Sequence, residues 1–209
     1  MPLQIDDAFI GKWHPKYDEI EGDECEYKEL VELVRTASGS ISKDAFRRIW
    51  IWKGAMRVIR FTRIYVKGYR TQADAPELDE YDARYAPAFR RAANAPPERK
   101  LSALLGAPGK LPGLAAPTAS TIIHFIHPET MPIIDVRTVE VLHEAQRIST
   151  KQRDLEHYEE FRKAIDTIRC DCPNFTLRQI DRALFAYHKL HKLVVPCTIG
   201  PALPRDRIQ

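Results

Sequence analysis

The chain has 209 residues, of which 44% are apolar and 29% charged, and its formal net charge is +3 at pH 7. These globular proportions exclude a disordered chain, a collagen-like chain and a simple coiled coil. The sequence holds no run of eighteen apolar residues, so it predicts no membrane span. Its N-terminus has neither the basic start nor the apolar core of a secretory signal, and we expect a protein that is not secreted.

Charge is distributed unevenly along the chain. Residues 18–29 hold seven acids and one base, whereas residues 43–70 hold nine bases and one acid. A segment this basic in a nearly neutral protein favours a surface that faces a polyanion. A solvated helix that pairs with the acidic stretch before it explains the same charges, and charge alone does not separate the two interpretations.

Apolar residues recur at helical spacing along the chain, which predicts an all-α fold of about eight helices without strands. The predicted helices cover residues 26–37, 43–67 (one helix, or two around Gly54), part of 78–92, 98–107, 118–127, 136–148 and 152–169. The last helix opens at Thr176, where Gln179 predicts a capping box. We expect one domain over residues 1–209 with a loosely held tail at 196–209.

The most specific signal lies at residues 111–142, LPGLAAPTASTIIHFIHPETMPIIDVRTVEVL. Leu-Pro-Gly predicts a tight turn in which Gly113 takes a positive φ without a steric penalty. Pro117 suits the first turn of a new helix. The free N–H groups at that helix start favour an anion such as phosphate. An extended stretch at 131–134 then leads to Asp135, a favoured residue for opening the next helix.

This segment resembles the hairpin of the helix-hairpin-helix DNA glycosylase superfamily, which includes endonuclease III and the adenine, 8-oxoguanine and alkyl-base glycosylases. The family pattern, L-P-G-hydrophobic-G-x-x-T-A, matches at Leu111, Pro112, Gly113, Leu114, Thr118 and Ala119. The proline, apolar stretch and aspartate that follow in the family match at Pro132, Ile133, Ile134 and Asp135. The close match covers about 32 of the 209 residues.

The resemblance implies a two-lobed helical bundle in which residues 101–148 carry the hairpin and the catalytic carboxylate, Asp135. A fixed carboxylate stabilises the positive charge that develops on a sugar when its N-glycosidic bond breaks. The damaged or mispaired base must first leave the DNA stack. The resemblance assigns DNA binding to the hairpin, at Leu111, Pro112, Gly113, Leu114, Ala115, Ala116 and Thr118.

The implied protein is a base-excision-repair enzyme that acts on double-stranded DNA as a monomer. Its compartment would be the cytoplasm and nucleoid of a prokaryote or the nucleus of a eukaryote. No cofactor is expected, although the family hairpin can hold a monovalent cation through backbone carbonyls. His124 and His127 lie three residues apart, but no matching carboxylate accompanies them, so we expect no metal site.

Two residues depart from the family pattern. Ala115 replaces the second glycine of the hairpin, and its methyl group crowds the place where the backbone approaches phosphate. Pro117 occupies the position of the Schiff-base lysine of bifunctional members, which predicts base excision without lysine-driven strand cleavage. The same departures motivate an alternative, a non-catalytic helix-hairpin-helix protein that binds DNA and uses Asp135 only as a helix cap. A third hypothesis is a protein-interaction module in which the basic segment docks on residues 18–29 or on a partner.

Five further residues are candidates for the site. Lys53 and Arg57 lie on a polar stripe and are expected to contact phosphate. Arg137 either pairs with Asp135 or contacts phosphate. Trp50, which lies among arginines, and His124 are candidates for the base pocket. Trp52 fits the apolar stripe of its helix and is expected in the core.

Overall fold

The computed structural model describes residues 3–37, 40–55, 81–106, 111 and 114–192. These residues form helices, turns and irregular segments and contain no strand, which confirms the all-α expectation for this part of the chain. They include nine α-helices of six residues or more, close to the predicted eight. Arg57, the tail at 196–209 and the second half of the helix predicted at 43–67 lie outside the described residues.

The helices are numbered here in chain order. They are α1 (Asp7–Trp13), α2 (Lys16–Glu21), α3 (Cys25–Thr36), α4 (Lys43–Ala55), a π-helical turn (Tyr81–Tyr85), α5 (Ala86–Asn94), α6 (Pro97–Lys100), α7 (Ser102–Leu105), α8 (Ala116–Ile126), α9 (Val136–Glu144), α10 (Leu155–Asp171) and α11 (Leu177–Lys192).

Local signals fixed several helix ends as expected. The predicted capping box opens α11, since the backbone N–H of Thr176 donates to Gln179 Oε1 at 2.8 Å and that of Gln179 donates to Thr176 Oγ1 at 3.2 Å. Helix α9 ends at Glu144, earlier than the predicted residue 148, because Gln146 takes a left-handed φ of 55°. The Arg147 N–H then donates back to the Leu142 carbonyl at 2.9 Å, which closes the helix with a Schellman motif.

Two central helices organise the packing. Helix α8 packs against α3, α4, α5 and α7, while α11 packs against α1, α2, α9 and α10. Most buried apolar residues belong to one continuous hydrophobic core. The extended stretch at 131–135 joins the two sets of helices by leading from α8 to α9. This connection positions the candidate site.

Among the described residues, none of the helices combines the length and the apolar character that a bilayer crossing requires.

Candidate functional site

The stretch that precedes Asp135 is held firmly in the core. Met131, Ile133 and Ile134 are all buried. The backbone N–H of Ile134 donates to Ser120 Oγ on α8 at 3.2 Å, and the Tyr158 hydroxyl on α10 donates to the Pro132 carbonyl at 2.8 Å. These two hydrogen bonds tie the stretch to α8 and to α10. The start of α9, which follows it directly, therefore has a fixed position.

Asp135 is the N-cap of α9. Its Oδ1 accepts the backbone N–H groups of Arg137 at 2.7 Å and Thr138 at 3.4 Å, and Thr138 Oγ1 lies 3.3 Å from the Asp135 N–H, which completes a capping box. The Asp135 Oδ2 lies 3.8 Å from the Arg137 guanidinium, and both side chains are 15% exposed. Of the two alternatives for Arg137, its pairing with Asp135 is therefore present. The Arg137 guanidinium also covers the Phe185 ring at 4.4 Å.

The described residues of the hairpin region that lie between α7 and α8 are Leu111, Leu114 and Ala115. The Leu111 N–H returns to the Leu104 carbonyl at 3.1 Å, and Pro117 lies in the first turn of α8 as predicted. Leu111, Leu114 and Ala116 are buried, so their side chains pack in the core and only their backbone could meet a phosphate.

Few of the described residues of the hairpin region are exposed. Ala115 is exposed and Thr118 half-buried, whereas Pro112 and Gly113 lie outside the described residues. The Ala115 carbonyl accepts the N–H groups of Thr118 at 3.0 Å and Ala119 at 2.9 Å, and the Leu111 carbonyl accepts that of Leu114 at 3.5 Å.

A second polar group, unexpected from the sequence, lies between α11 and the acidic segment 18–29. We call it the Arg178 cluster, and it comprises Tyr17, Glu24, Tyr27, Trp52, Arg178, Asp181 and Arg182. Arg178 Nε donates to Glu24 Oε1 at 2.7 Å, and its other nitrogens donate to Asp181 and to the Tyr17 hydroxyl. Arg182 bridges Glu24 at 3.2 Å and Asp18 at 2.5 Å.

Aromatic rings enclose the Arg178 guanidinium. Its central carbon lies 4.6 Å from the Tyr27 ring centre, 5.0 Å from that of Tyr17 and 5.6 Å from that of Trp52. The faces of such rings attract cations, and the attraction grows when water is excluded. Arg178 is 11% exposed and Glu24 only 8%, so this ion pair is largely desolvated.

The Asp135–Arg137 pair and the Arg178 cluster interact electrostatically through Asp181. Burial raises the pKa of Asp181, Arg178 opposes that shift, and the charge of Asp135 adds to it. Lys53 of α4, which is half-buried, lowers the pKa of Asp181 and also that of His124. The charges of Asp135 and Lys53 therefore both act on the pKa of Asp181, with opposite signs.

A cavity of about 170 Å³ opens beside the Arg178 cluster. Its lining combines three aromatic rings with the Arg178 guanidinium and four carboxylates. The lining residues are Tyr17, Glu21, Asp23, Glu24, Glu26, Tyr27, Trp52 and Arg178. Arg178 thus belongs to the cavity wall and is also bonded to Asp181, which connects the cavity to the surroundings of Asp135.

The two residues predicted for a base pocket, Trp50 and His124, do not line this cavity. Trp50 is 8% exposed and packs in the hydrophobic core, with its ring 5.7 Å from that of Phe46. Trp52 is buried in the core, as expected, and it also lines the cavity, because it packs against Tyr27 and Arg178.

His124 is a supporting residue behind the cavity. The Tyr27 hydroxyl contacts its Nε2 at 2.8 Å, and its Nδ1 contacts the Met131 carbonyl at 2.7 Å. Since only Nδ1 can donate to that carbonyl, Nε2 accepts the Tyr27 proton. Burial lowers the pKa of His124 to about 3, so the ring is neutral at pH 7. It fixes the Tyr27 ring that faces the cavity.

Sequence reasoning missed Arg178, Asp181 and Glu24. A signal was present, because Arg178, Asp181 and Arg182 place three charges on one face of the last helix at three- and four-residue spacing. From sequence alone, a charged helix face of this kind is predicted to be exposed to solvent, because the sequence does not show which helices pack against it.

Within the part of the chain that the structure describes, no three His, Cys, Asp or Glu side chains are grouped so that they could hold a metal ion. Comparison with protein-family profiles finds no matching family. Comparisons with curated proteins and with solved structures also find no match.

Proposed function

We propose that the protein is a monofunctional DNA glycosylase that uses Asp135 as its catalytic carboxylate. The observation that carries this proposal is the placement of Asp135, which is fixed at the start of α9 and follows helix α8. Its carboxylate interacts electrostatically with Asp181, whose partner Arg178 lines an aromatic cavity. A carboxylate and a ring-lined cavity are the two parts that base excision requires.

In the proposed reaction, the bond between the anomeric carbon and the base nitrogen breaks, and its electron pair goes to the base. Asp135 Oδ2 stabilises the positive charge left on the sugar, while Oδ1 stays with the α9 N–H groups. A water oxygen then bonds to the anomeric carbon, and Asp135 or solvent takes its proton. Arg137 holds the Asp135 carboxylate in place from 3.8 Å.

The proposal includes the two-lobed arrangement of the glycosylase family. One lobe would comprise α3 to α8, and the other α1, α2 and α9 to α11. The separate packing of α8 against α3, α4, α5 and α7 and of α11 against α1, α2, α9 and α10 supports this division. The cavity would receive the extruded base, and the turn at 111–118 would hold a neighbouring phosphate through its backbone.

The test is base release from duplexes that carry 8-oxoguanine, uracil, hypoxanthine, alkylated purines or an adenine opposite 8-oxoguanine. Asp135→Asn keeps a good N-cap but removes the negative charge. We expect release to fall about a hundredfold or more, a size typical of lost electrostatic stabilisation. Strand breaks should appear only after hot alkali, because the reaction uses no lysine nucleophile.

Asp154→Asn is the matched control. Asp154 is the N-cap of α10 and accepts the His157 N–H at 3.0 Å, so this variant repeats the same chemical change at another helix start. It should release base at the parent rate. Equal rates for the two variants would remove Asp135 from the chemistry.

The second candidate is a helix-hairpin-helix protein that binds DNA without cutting the glycosidic bond. It is favoured by the capping box, which already gives Asp135 a structural role. In that case no duplex in the panel would lose a base, although DNA binding would persist and would weaken steeply with salt.

A further inference from the structure

The four residues before Asp135 lie inside the protein, where backbone polar groups need hydrogen-bond partners. Pro132 has no N–H to satisfy, and it favours an extended backbone at the preceding Met131. The Met131 N–H donates to the His127 carbonyl at 3.0 Å. Three further partners of the stretch at 131–134 are side chains, and they belong to α8 and α10.

Two side chains of α8 hold the two ends of this stretch. His124 Nδ1 donates to the Met131 carbonyl at 2.7 Å. Ser120 Oγ accepts the Ile134 N–H at 3.2 Å. His124 is 1% exposed and Ser120 is fully buried, so water cannot replace either bond. The loss of one of these bonds therefore leaves a buried backbone group without a partner.

The spacing of these two contacts fixes the register of the stretch. Ser120 and His124 are four residues apart, which is about 6 Å along a helix. The two residues between Met131 and Ile134 span about 6.6 Å when extended, so the two lengths match. The stretch runs antiparallel to α8, since its first residue contacts the later of the two helix residues. A slip by one residue would displace Asp135 by about 3.3 Å.

Each of the two side chains is oriented by a further hydrogen bond. The Tyr27 hydroxyl of α3 donates to His124 Nε2 at 2.8 Å, which leaves the ring proton on Nδ1, where the stretch accepts it. Ser120 Oγ donates to the Pro117 carbonyl at 3.0 Å and keeps its lone pairs for the Ile134 N–H. Because Pro117 belongs to the first turn of α8, this bond connects the region proposed to hold a phosphate with the stretch that leads to the carboxylate.

We propose that His124 and Ser120 are positioning residues, which set the place of the Asp135 carboxylate relative to the start of α8. The observation that carries the proposal is that one helix contacts both ends of the stretch at matching spacing. The importance of this placement for base release rests on the proposed glycosylase function, whereas the register itself does not. In this proposal His124 acts through Asp135, and not as a wall of a base pocket.

Two substitutions at His124 separate its two hydrogen bonds. The amide nitrogen of asparagine can take the place of Nδ1, so His124→Asn keeps a donor for the Met131 carbonyl and loses the bond to Tyr27. The longer amide of glutamine reaches the place of Nε2, so His124→Gln keeps a partner for Tyr27 and loses the bond to Met131. Both variants lose one buried hydrogen bond, and they differ in which one.

Amide hydrogen exchange at the start of α9 reports the placement of Asp135 without an activity assay. The Asp135 carboxylate accepts the N–H groups of Arg137 and Thr138, so their protection depends on its position. The His157 N–H donates in the same way to Asp154, the N-cap of α10, and serves as the reference. Global destabilisation lowers protection at both helix starts, whereas a displaced Asp135 lowers it at α9 alone.

The two His124 variants should differ at the start of α9. His124→Gln should lower the protection of Arg137 and Thr138 about tenfold relative to the reference amide, because the Met131 carbonyl loses its buried donor. His124→Asn should leave this ratio within about twofold of the parent value, because that donor is kept. An equal loss in the two variants, or no loss in either, overturns the proposal.

Ser120 provides an independent pair of variants, which decides the question if the His124 substitutions prevent folding. Ser120→Ala removes the acceptor of the Ile134 N–H and should lower the same ratio about tenfold. Thr121→Val is the matched control. The Thr121 hydroxyl is equally buried and donates to the same Pro117 carbonyl at 2.8 Å, but among the described residues it has no hydrogen bond to the stretch. This control should leave the ratio unchanged, and equal effects at the two positions would overturn the register.

Base release by the same variants connects the register to the proposed function. We expect the kcat of His124→Gln and Ser120→Ala to fall about tenfold to a hundredfold with KM unchanged, as for a misplaced catalytic group. His124→Asn and Thr121→Val should stay near the parent rate. All measurements use the full chain, and thermal unfolding of each variant is recorded first so that a folding defect is not read as lost positioning.

The two proposals fail in different ways. If the exchange ratio changes as expected but no duplex loses a base to the parent protein, the register stands and the glycosylase function fails. If bases are released and none of these variants changes kcat, the function stands and the positioning role of His124 and Ser120 is wrong.

Discussion

The acidic and the basic regions of this molecule use their charges differently. Residues 3–37 hold ten acids and four bases, and residues 43–55 with 81–106 hold nine bases and three acids. Several of the acids are drawn inward and paired, as Glu24 is with Arg178 and Arg182. By contrast, Arg47, Arg90, Arg91 and Arg99 are exposed, and none forms an ion pair with a described carboxylate.

This difference bears on how the basic segment is interpreted. If it existed to neutralise residues 18–29, the ion pairs would join those two segments. Among the described residues, Arg48 with Glu29 at 2.9 Å is one such pair, whereas Asp18, Glu21 and Glu24 all pair with α11. Among the described residues, the last helix pairs with three of the seven acids of that segment, and the exposed arginines of α4 to α6 have no ion pair with a described carboxylate.

The largest expected effect comes from disrupting the Arg178 cluster. Arg178→Met leaves Glu24 and Asp181 buried without their main partner, and losing one member of a buried pair costs about 3 to 5 kcal/mol. Chemical denaturation measures the change. Arg91→Met makes the same substitution at an exposed arginine and should stay within about 0.5 kcal/mol. Similar losses at the two sites would mean that the regions do not differ.

A pH titration examines the buried region from another side. The pKa of His124 falls to about 3 on folding through burial, so the unfolded chain binds a proton near pH 6.5 that the folded chain does not. The contribution of His124 to the free energy of unfolding is therefore fully present above pH 6.5. It decreases as the pH falls, by about 2 kcal/mol at pH 5. His124→Gln should flatten this decline in urea midpoints measured from pH 7 to pH 5.

His157 is expected to change the stability with pH in the opposite direction. Its hydrogen bond to Asp154 raises the pKa of this exposed histidine, so its contribution is complete below pH 6.5 and fades as the pH rises through the folded value. His157→Gln should therefore reduce stability only on the acidic side. If the unfolding free energy of His124→Gln decreased between pH 7 and pH 5 as much as that of the parent protein, the decrease could not be assigned to His124.

A smaller effect is expected at the outward arginines. The double variant Arg90→Ala with Arg91→Ala should weaken binding of duplex DNA about tenfold and lower the slope of log affinity against log salt by roughly two, one for each lost phosphate contact. Fluorescence anisotropy over a salt series measures both. An unchanged slope would show that DNA does not contact this face.

The smallest effect is expected where an ion pair lies at the edge of the network. Lys189 contacts Glu21, and its side chain is 26% exposed. Such pairs contribute about 0 to 1 kcal/mol, so Lys189→Gln should change the unfolding free energy by no more than that. A loss of unfolding free energy as large as that of Arg178→Met would show that this ion pair is an integral part of the Arg178 cluster.

Contacts between sequence neighbours were predictable. The start of α8 near Pro117 and the N-cap at Asp135 each depend on residues within a few positions, and both are present. The capping box at Thr176 belongs to the same class. Their chemistry is read directly from residue type and spacing.

The Arg178 cluster could not be predicted in this way, because Arg178 and Glu24 are separated by 154 residues. Periodicity placed Leu177, Ile180 and Leu184 on the core face of α11, and they are buried. The adjacent face of α11, which carries Arg178, would be solvated in an isolated helix, but α2 and the start of α3 cover it. Trp52 is in the core, as expected, yet it also borders a cavity that only tertiary packing creates.

The separation of Arg178 from Glu24 also has a consequence for synthesis on the ribosome. Residues 18–29 emerge early, but their cationic partners on α11 emerge more than 140 residues later. At about 5 to 20 residues per second, these acids remain without their cationic partners for about 7 to 30 seconds. Helices α3 to α8 can pack against one another during that interval, whereas α1 and α2 have most of their helix contacts with α11. We therefore expect α1 and α2 to reach their folded positions only after α11 has been synthesised.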